Sequence, residues 1–290
     1  MSRGIDHLVL AARDLGRSAE IYRRLGFTVG ARNRHPWGTL NHIVQLEGAF
    51  LELISTQTGF TPPARSAAVF PFAGFLDGFL ARREGFAMLV LESRDAKADA
   101  SEFARASIAT GEPFFFERTG KRADGGDVHV AFTLAFAATP HAPAAGFFVC
   151  QQHFPDAFWS SALQQHDNTA RRISSTTLVA QRPSQLADFL SAFVGGPVVS
   201  HTGCIAADTG RGRVEVMTPA AAREIWGTGV LPVVGDRDGP HLAGACFAVA
   251  DLAATRAVLG GRQITFAEHN GRLVIPADAA LGTALAFEAA

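Results

Sequence analysis

The sequence contains little cysteine and no long apolar run. Its three cysteines, Cys150, Cys204 and Cys246, are odd in number and widely spaced. This pattern favours neither a disulfide framework nor a cysteine-rich metal knuckle. No apolar segment reaches membrane-spanning length, and the first strand begins within a few residues without a signal-peptide pattern. We therefore expect a protein of the reducing cytoplasm with no membrane partner.

The sequence also lacks a charge imbalance and is poor in tyrosine. Its 290 residues carry 26 basic and 27 acidic side chains, which gives no electrostatic argument for nucleic acid. Phenylalanine occurs 23 times and tyrosine once, a bias that suggests apolar cavities or a dense core. We expect a small-molecule ligand as the partner, and a homodimer is compatible with the sequence.

An internal repeat organises the chain. The segment 8–14 (LVLAARD) matches 89–95 (LVLESRD) at five of seven positions. Each copy reads as a strand followed by an aspartate at a helix N-cap, and Gly26 and Gly111 mark the helix ends. Fainter copies begin near Thr176 and Leu242.

The repeat predicts an α+β fold. Four βαβββ modules are expected to pair into two half-open mixed-sheet barrels with helices outside. Modules one and two would form a domain of residues 1–170, with a connecting arm at 56–85. Modules three and four would form a more degenerate domain of residues 171–290.

Two ionisable side chains lie within aliphatic strands. His7 interrupts the first strand and Glu52 interrupts the strand 50–54. A buried charge without a partner costs several kcal/mol, so Glu52 should meet a cation, a donor or water. His7 is either a ligand or a hydrogen-bonded core histidine, and Glu52 could pair with His7 or with an arginine such as Arg34.

The turn at 32–42 concentrates polar and aromatic side chains between two strands. It is either a ligand wall, with Trp37 stacking and His35 or Asn41 donating hydrogen bonds, or a hairpin shaped by Pro36 and Gly38. We expect substrate contacts from four of its residues: Arg34, His35, Trp37 and Asn41.

A second polar segment, residues 150–153, closes module two. Cys150 and His153 are three apart and should face opposite sides of a strand, which argues against a Cys–His dyad. Gln151 is the better candidate for the cavity floor, and His153 for the cavity mouth or a contact between domains.

These motifs resemble the vicinal oxygen chelate superfamily, which includes glyoxalases, bleomycin-resistance proteins and extradiol dioxygenases. The resemblance rests on segments 5–9 (IDHLV), 50–53 (FLEL), 35–39 (HPWGT) and 150–155 (CQQHFP), and it is closest to bacterial glyoxalase-like members. It implies paired modules that enclose a ligand. It does not imply one activity, because the superfamily spans isomerases, lyases, dioxygenases and metal-free binders.

The resemblance also implies metal ligands on the first and last strands of paired modules. His7 and Glu52 match these positions, as candidate ligands of Zn, Mn, Ni or Fe and as candidate catalytic residues. Met88 stands where module two would need a histidine, and thioether is a poor ligand for a hard ion. Thr176 and Gly244 align with His7 in modules three and four, while Gln151 and Glu215 align with Glu52.

Three functional hypotheses remain open from the sequence. The first is a metal-dependent lyase or isomerase acting on vicinal oxygens, with no organic cofactor. The second is a metal-free protein that sequesters an aromatic or apolar compound. The third is a non-catalytic, degenerate module kept for assembly.

Overall fold

Two eight-stranded mixed sheets form the protein. The computed structural model describes residues 2–57, 59–60, 70–121, 126–234 and 239–290. The first sheet contains β1 (Ile5–Ala11), β2 (Asn33–Arg34), β3 (Thr39–Gln45), β4 (Phe50–Thr56), β5 (Gly85–Glu92), β6 (Phe114–Lys121), β7 (Asp127–Ala137) and β8 (Gly146–Gln152). The second contains β9 (Ala170–Val179), β10 (Val199–His201), β11 (Cys204–Asp208), β12 (Arg213–Met217), β13 (His241–Val249), β14 (Ala267–His269), β15 (Arg272–Ile275) and β16 (Ala284–Ala289).

Helices connect the strands in each half. They are α1 (Leu15–Arg24), α2 (Phe72–Leu80), α3 (Ala96–Arg105), α4 (Pro155–Phe158), α5 (Ala187–Val194), α6 (Pro219–Trp226) and α7 (Leu252–Gly261). Among the described residues, no helix is both long enough and apolar enough to cross a membrane.

Strand order confirms the four-module prediction. The first sheet runs β2-β3-β4-β1-β5-β8-β7-β6, and the second repeats this order with β10-β11-β12-β9-β13-β16-β15-β14. Within a module the first and last strands are parallel, as β1 is to β4. The two modules of a pair meet through antiparallel first strands, β1 with β5 and β9 with β13. The fold is therefore α+β, with each sheet built from two βαβββ modules.

Three of the four modules have an aspartate cap at the start of the helix that follows their first strand. Asp14, Asp95 and Asp251 accept hydrogen bonds from backbone N–H groups in the first turns of α1, α3 and α7. The third module instead has Arg182 before a 3₁₀ turn at Pro183–Leu186, and no side chain caps that turn.

Alternation along the strands separates two cores. On β1, Leu8 and Leu10 belong to a large cluster that joins the helix-bearing faces of both sheets. Val9 and Ala11 face the other way, into an aromatic cluster inside the first barrel. This is the period of two expected for a strand, and it decides which polar residues enter the barrel.

Residues 27–29, which follow α1, do not form a strand. Phe27 instead packs against Phe247 and Phe287 of the second half, with ring centroids 5.3 and 5.9 Å away. The Thr28 N–H donates to His166 Nδ1 at 3.0 Å, so it is not available for a strand ladder. The edge strand β2 forms later, at Asn33–Arg34.

The arm expected at 56–85 is described only in part. Residues 58 and 61–69 lie outside the described residues, and α2 occupies the later portion. The division into domains 1–170 and 171–290 stays a prediction.

Candidate functional site

The first barrel brings His7 and Glu52 together, as the sequence predicts. Their strands are parallel neighbours, and Glu52 lies beside Val9, two residues beyond His7. The distance from His7 Nε2 to Glu52 Oε2 is 3.8 Å, and both side chains are buried. Both residues line one cavity.

Asp6 orients His7, a contact that the sequence analysis missed. Asp6 Oδ2 lies 2.6 Å from His7 Nδ1, and Gln152 Nε2 donates to the other Asp6 oxygen at 3.0 Å. Adjacent residues on a regular strand face opposite sides, but the β1–β5 register shifts between Ile5 and His7. This irregularity at Asp6 allows both side chains to meet. A carboxylate at Nδ1 favours the tautomer with a proton there, which leaves the Nε2 lone pair toward the cavity.

Asn41 is the direct partner of Glu52. Its Nδ2 donates to Glu52 Oε1 at 2.5 Å, and both residues are buried. The predicted partner Arg34 is exposed on β2 and does not line the cavity. A different arginine, Arg118, shares the cavity with Glu52, and the charges of the two side chains interact.

Arg118 supplies the cationic side of the cavity. It lies on β6, where alternation places it on the same face as Phe114 and Phe116. Its Nη1 donates to Asn33 Oδ1 at 3.0 Å, while its Nε has no partner among the described residues. Burial lowers the pKa of Arg118, and the negative charge of Glu52 opposes that effect.

His35 is a neutral member of the site. Its Nδ1 lies 2.8 Å from Thr39 Oγ1, and its ring stacks on Trp37 with centroids 4.6 Å apart. Burial, and then the charge of Arg118, lower the pKa of His35 to about 3. His35 is therefore uncharged near neutral pH, and its Nε2 lies 3.9 Å from Glu52 Oε1.

Aromatic side chains form the remaining wall. The cavity volume is about 50 Å³. Its aromatic lining comprises Trp37, Phe50, Phe72, Phe116, Phe132, Phe148 and Phe158. Phe50 stacks on the His7 ring at 4.2 Å, which fixes the plane of the imidazole. The site thus combines a few polar groups with an apolar surround.

Two predicted contact residues lie elsewhere. Gln151 accepts from Ala96 N at 3.1 Å and donates to the Arg94 carbonyl at 3.0 Å, so it holds the start of α3 and not the cavity floor. His153 Nε2 lies 2.8 Å from Thr133 Oγ1, and His153 does not line the cavity. Cys150 does line it, but burial and the nearby charges of Asp6 and Glu52 raise the pKa of its thiol. Because His153 bonds Thr133 and lies outside the cavity that Cys150 lines, these two residues do not form a Cys–His dyad.

Strand register corrects two module alignments. The repeat aligns Val9 with Val90. Glu52 is the register partner of Val9, and Phe148 is the register partner of Val90. Phe148, and not Gln151, is therefore the module-two equivalent of Glu52. Glu215 pairs with Thr177 in the same way, so Ser175, not Thr176, is the equivalent of His7 in module three. Glu215 Oε1 lies 3.8 Å from Arg213 Nε, so an ion pair accompanies this carboxylate.

The donors present do not fit the metal site that the resemblance implies. Of the four strand positions in the first barrel, two hold His7 and Glu52 and two hold Met88 and Phe148. Among the described residues, no group of three or more His, Cys, Asp and Glu side chains is arranged to hold a metal ion. The guanidinium of Arg118 also shares the cavity with Glu52, where it opposes a second cation.

The second barrel is filled by its own helix. Trp226, at the end of α6, is 2% exposed and packs with Cys246, Val274 and Ala286. Its Nε1 donates to Thr177 Oγ1 at 3.3 Å. Gly244 makes room for the indole, because a Cβ at that position would lie 2.8 Å from the ring. The two halves therefore share a fold but not a site.

A family model decides the classification of this chain. The model for the glyoxalase-like domain matches residues 5–194, which include the whole first sheet and all of its candidate site residues. The chain belongs to the glyoxalase-like domain family. This family has the vicinal oxygen chelate fold, in agreement with the paired βαβββ modules. Among curated proteins, none matches this sequence significantly.

Solved structures share the fold of this glyoxalase-like chain at low identity. A hypothetical protein from Staphylococcus aureus matches with a TM-score of 0.64 and 12% identity over 100% of both chains. A mutant of 4-hydroxymandelate synthase from Streptomyces coelicolor matches with a TM-score of 0.55 and 15% identity, over 93% of this chain and 78% of that one.

A third structure extends the comparison to a fusion protein. This is a xylose isomerase-like TIM barrel/4-hydroxyphenylpyruvate dioxygenase fusion protein, with a TM-score of 0.54 and 13% identity. The match covers 99% of this chain and 48% of that one. At such identities the three likenesses establish a shared fold alone, and a general role in small-molecule binding or catalysis follows from the family.

Proposed function

We propose that the N-terminal barrel of this glyoxalase-like protein is an enzyme site for proton transfer on a small aromatic molecule with vicinal oxygens. The observation that carries the proposal is the Asp6–His7 contact, 2.6 Å at Nδ1, which leaves His7 Nε2 as a base at the cavity. A histidine held by a carboxylate is the usual arrangement of a general base.

The proposed step needs only residues of this chain. His7 Nε2 takes a proton from a substrate carbon beside a carbonyl, and the electron pair of the broken C–H bond moves onto the carbonyl oxygen. Asp6 stabilises the imidazolium that forms. Arg118 stabilises the developing oxyanion, because a preorganised cation in a buried cavity needs little reorganisation. In a 2-hydroxy ketone, transfer of the hydroxyl proton to the enolate oxygen and return of the carbon-bound proton to the former carbonyl carbon would give isomerisation. With a leaving group on the carbon next to the deprotonated one, re-formation of the carbonyl would expel that group with its electron pair and give elimination.

The walls define the ligand class. Phenyl rings surround the polar groups, so an aromatic or apolar body is favoured, and Arg118 favours a carboxylate or enolate. A cavity of about 50 Å³ is far smaller than a typical ligand site of roughly 300 Å³ or more. Binding therefore requires movement of wall side chains, and Phe72 is the first candidate because it reaches the cavity from the helix α2 and not from the sheet.

Hydrogen exchange tests the proposal without a known substrate. Aromatic 2-oxo and 2-hydroxy acids, such as phenylpyruvate and mandelate, are incubated with protein in D₂O, and loss of the C–H signal is followed by ¹H NMR. We expect exchange that falls by about 100-fold or more in His7→Gln. His153→Gln is the matched control, because His153 lies outside the cavity, and it should retain the rate.

Two outcomes would favour other functions. Saturable binding of these acids without exchange in any of them would support the metal-free binding protein, and exchange that survives His7→Gln would contradict the base assigned here. The metal-dependent lyase or isomerase is the second candidate. The observation that favours it is that His7 and His35 approach opposite oxygens of Glu52, at 3.8 and 3.9 Å.

Calorimetry separates the metal-dependent candidate from the proposal. Metal-free protein is titrated with zinc, manganese, nickel and iron, with Glu52→Gln alongside. Saturable heat that disappears in Glu52→Gln would support an ion on His7 and Glu52. Hydrogen exchange in protein that binds none of these ions would support proton transfer by the chain alone.

A further inference from the structure

A second and larger cavity lies in the other half of the protein. It has a volume of about 470 Å³, within the range of small-molecule sites. The end of β9, the helix α6 and the start of β13 form it, and His141 from the first half contributes to its edge. None of its lining residues belongs to the candidate site in the first barrel.

Among the described residues that line this cavity, the side chains with a fixed charge are two arginines. Arg182 and Arg223 line it together with the amides of Gln181 and Gln185, and no acidic residue is found in its described lining. No ion pair joins either arginine to another described residue. Apolar residues such as Leu186 and Leu231 form the rest of the surface. Cationic groups beside an apolar wall suit an organic anion.

Arg182 occupies a position where its sister modules have aspartate. The N–H of Ala12 donates to the Ile54 carbonyl at the end of β4, and the N–H of Ala180 donates to the Met217 carbonyl at the end of β12. Ala12 and Ala180 are therefore equivalent positions, and so are Asp14 and Arg182, which lie two residues after them. Asp14 caps α1, whereas no side chain caps the turn after Arg182. Loss of a cap costs about 1 kcal/mol, and a cation at a helix N-terminus adds a small penalty. Helix stability therefore does not explain this arginine.

The connection that borders the cavity is longer than its counterpart in the first half. In the first half α2 ends at Leu80 and β5 begins at Gly85. Glu84 in that short connection accepts from the Arg13 N–H at 2.8 Å and closes the space. In the second half α6 ends at Trp226 and the equivalent strand begins at His241. Within this connection, Gly227, Gly229 and residues 231–234 and 239–240 border the cavity.

We propose that this cavity is a second ligand site, which binds a small organic anion through Arg182 and Arg223. The guanidinium groups hold a carboxylate or phosphate, since their planar donors match both groups, and the apolar wall takes the organic body. Phosphate and carboxylate probes separate the two anion types. The site does not depend on the chemistry proposed for the first barrel.

Calorimetric titration with phenyl phosphate and with benzoate tests this site. The experiment uses protein carrying Arg118→Gln, which removes the guanidinium of the first barrel. We expect one saturable site for at least one probe. Arg182→Gln and Arg223→Gln, each added to that protein, should weaken binding about tenfold or more, and Arg24→Gln, an exposed arginine on α1, should leave it unchanged.

Arg182→Asp separates binding from folding. It restores the residue type that caps the other modules, so its melting temperature should rise by about 2 °C while phenyl phosphate or benzoate binding is lost. Absence of binding by both probes, or equal affinity after removal of both arginines, would overturn the proposal. Equal weakening by Arg24→Gln would show that only general charge attraction is present.

Discussion

Asp6 and His7 are neighbours on one strand, yet their side chains meet at 2.6 Å. The shifted register of β1 against β5 makes this possible, and Gln152 fixes the second oxygen of Asp6. The consequence is a single orientation of His7, because Phe50 holds the ring plane and Asp6 holds Nδ1. The base proposed at the cavity thus depends on an irregularity in the backbone.

Asp6→Asn should change the tautomer of His7. In the wild type we expect ¹⁵N NMR to show a proton on Nδ1 and a bare Nε2. The amide of Asn can donate to Nδ1 as well as accept, so the variant should show a mixed or reversed population. His35, which Thr39 orients, provides an internal control whose signals should not change. An unaltered His7 spectrum would mean that Asp6 does not set the tautomer.

Asn41→Asp should destabilise the first barrel by about 3 kcal/mol at pH 7. The change places a second carboxylate against Glu52, where the amide now donates at 2.5 Å. Urea unfolding measures the loss, and acidification should recover part of it because one carboxyl can then hold a proton. Asn33→Asp is the matched control, since Asn33 accepts from Arg118 and a carboxylate there meets a cation. Similar losses in both variants would argue against the Asn41–Glu52 bond.

His35 should make stability fall on acidification. Its pKa of about 3 in the folded protein lies below the value of roughly 6.5 for an exposed histidine. Between these two pH values the unfolded state therefore binds more protons than the folded state. The stability that buried, neutral His35 contributes is fully present above pH 6.5 and is lost as the pH falls below that value. We expect a loss of about 2 kcal/mol between pH 7 and pH 5 that His35→Gln does not show. Parallel pH profiles of wild type and variant in urea unfolding would contradict this.

Asp14→Ala should lower the free energy of unfolding by about 1 kcal/mol. Asp14 Oδ1 accepts from Arg17 N at 2.9 Å at the start of α1. Asp77→Ala, at an exposed position within α2, removes the same charge without removing a cap. Thermal melts should separate the two variants, and equal melting temperatures would mean that the cap contributes nothing.

Trp226→Ala should cost about 3–5 kcal/mol, because it empties the second barrel. Trp226→Phe keeps much of the volume and loses the contact with Thr177, so its cost should be smaller. Chemical unfolding measures both. A near-neutral Trp226→Ala would mean that the barrel collapses around the missing ring.

The sequence predicts the fold and half of the site for identifiable reasons. Segments 8–14 and 89–95 carry the repeat, and strand alternation then sends His7 and Glu52 inward. Asp6 could not be predicted, since alternation places it on the opposite face and a local register shift leaves no clear sequence pattern.

The positions of Arg118 and Gln151 could not be predicted from the sequence for a second reason, which is strand pairing over a long separation along the chain. Arg118 lies far along the chain on β6, and only the β6–β7 pairing brings it to the cavity. Its one signal was the alternation of Phe114, Phe116 and Arg118. The sequence aligns Gln151 with Glu52 wrongly, because the long segment between α3 and β8 does not fix the register of β8.

The filled second barrel also gives the molecule an optical reference. Its three tryptophans lie in different surroundings: Trp37 lines the first cavity, Trp159 packs beside Phe50 and Phe158, and Trp226 is enclosed in the second barrel. A ligand that enters the first barrel should alter the fluorescence of Trp37 and Trp159 but not that of Trp226. Emission from Trp226 therefore supplies a constant baseline against which occupancy can be read in the unmodified chain.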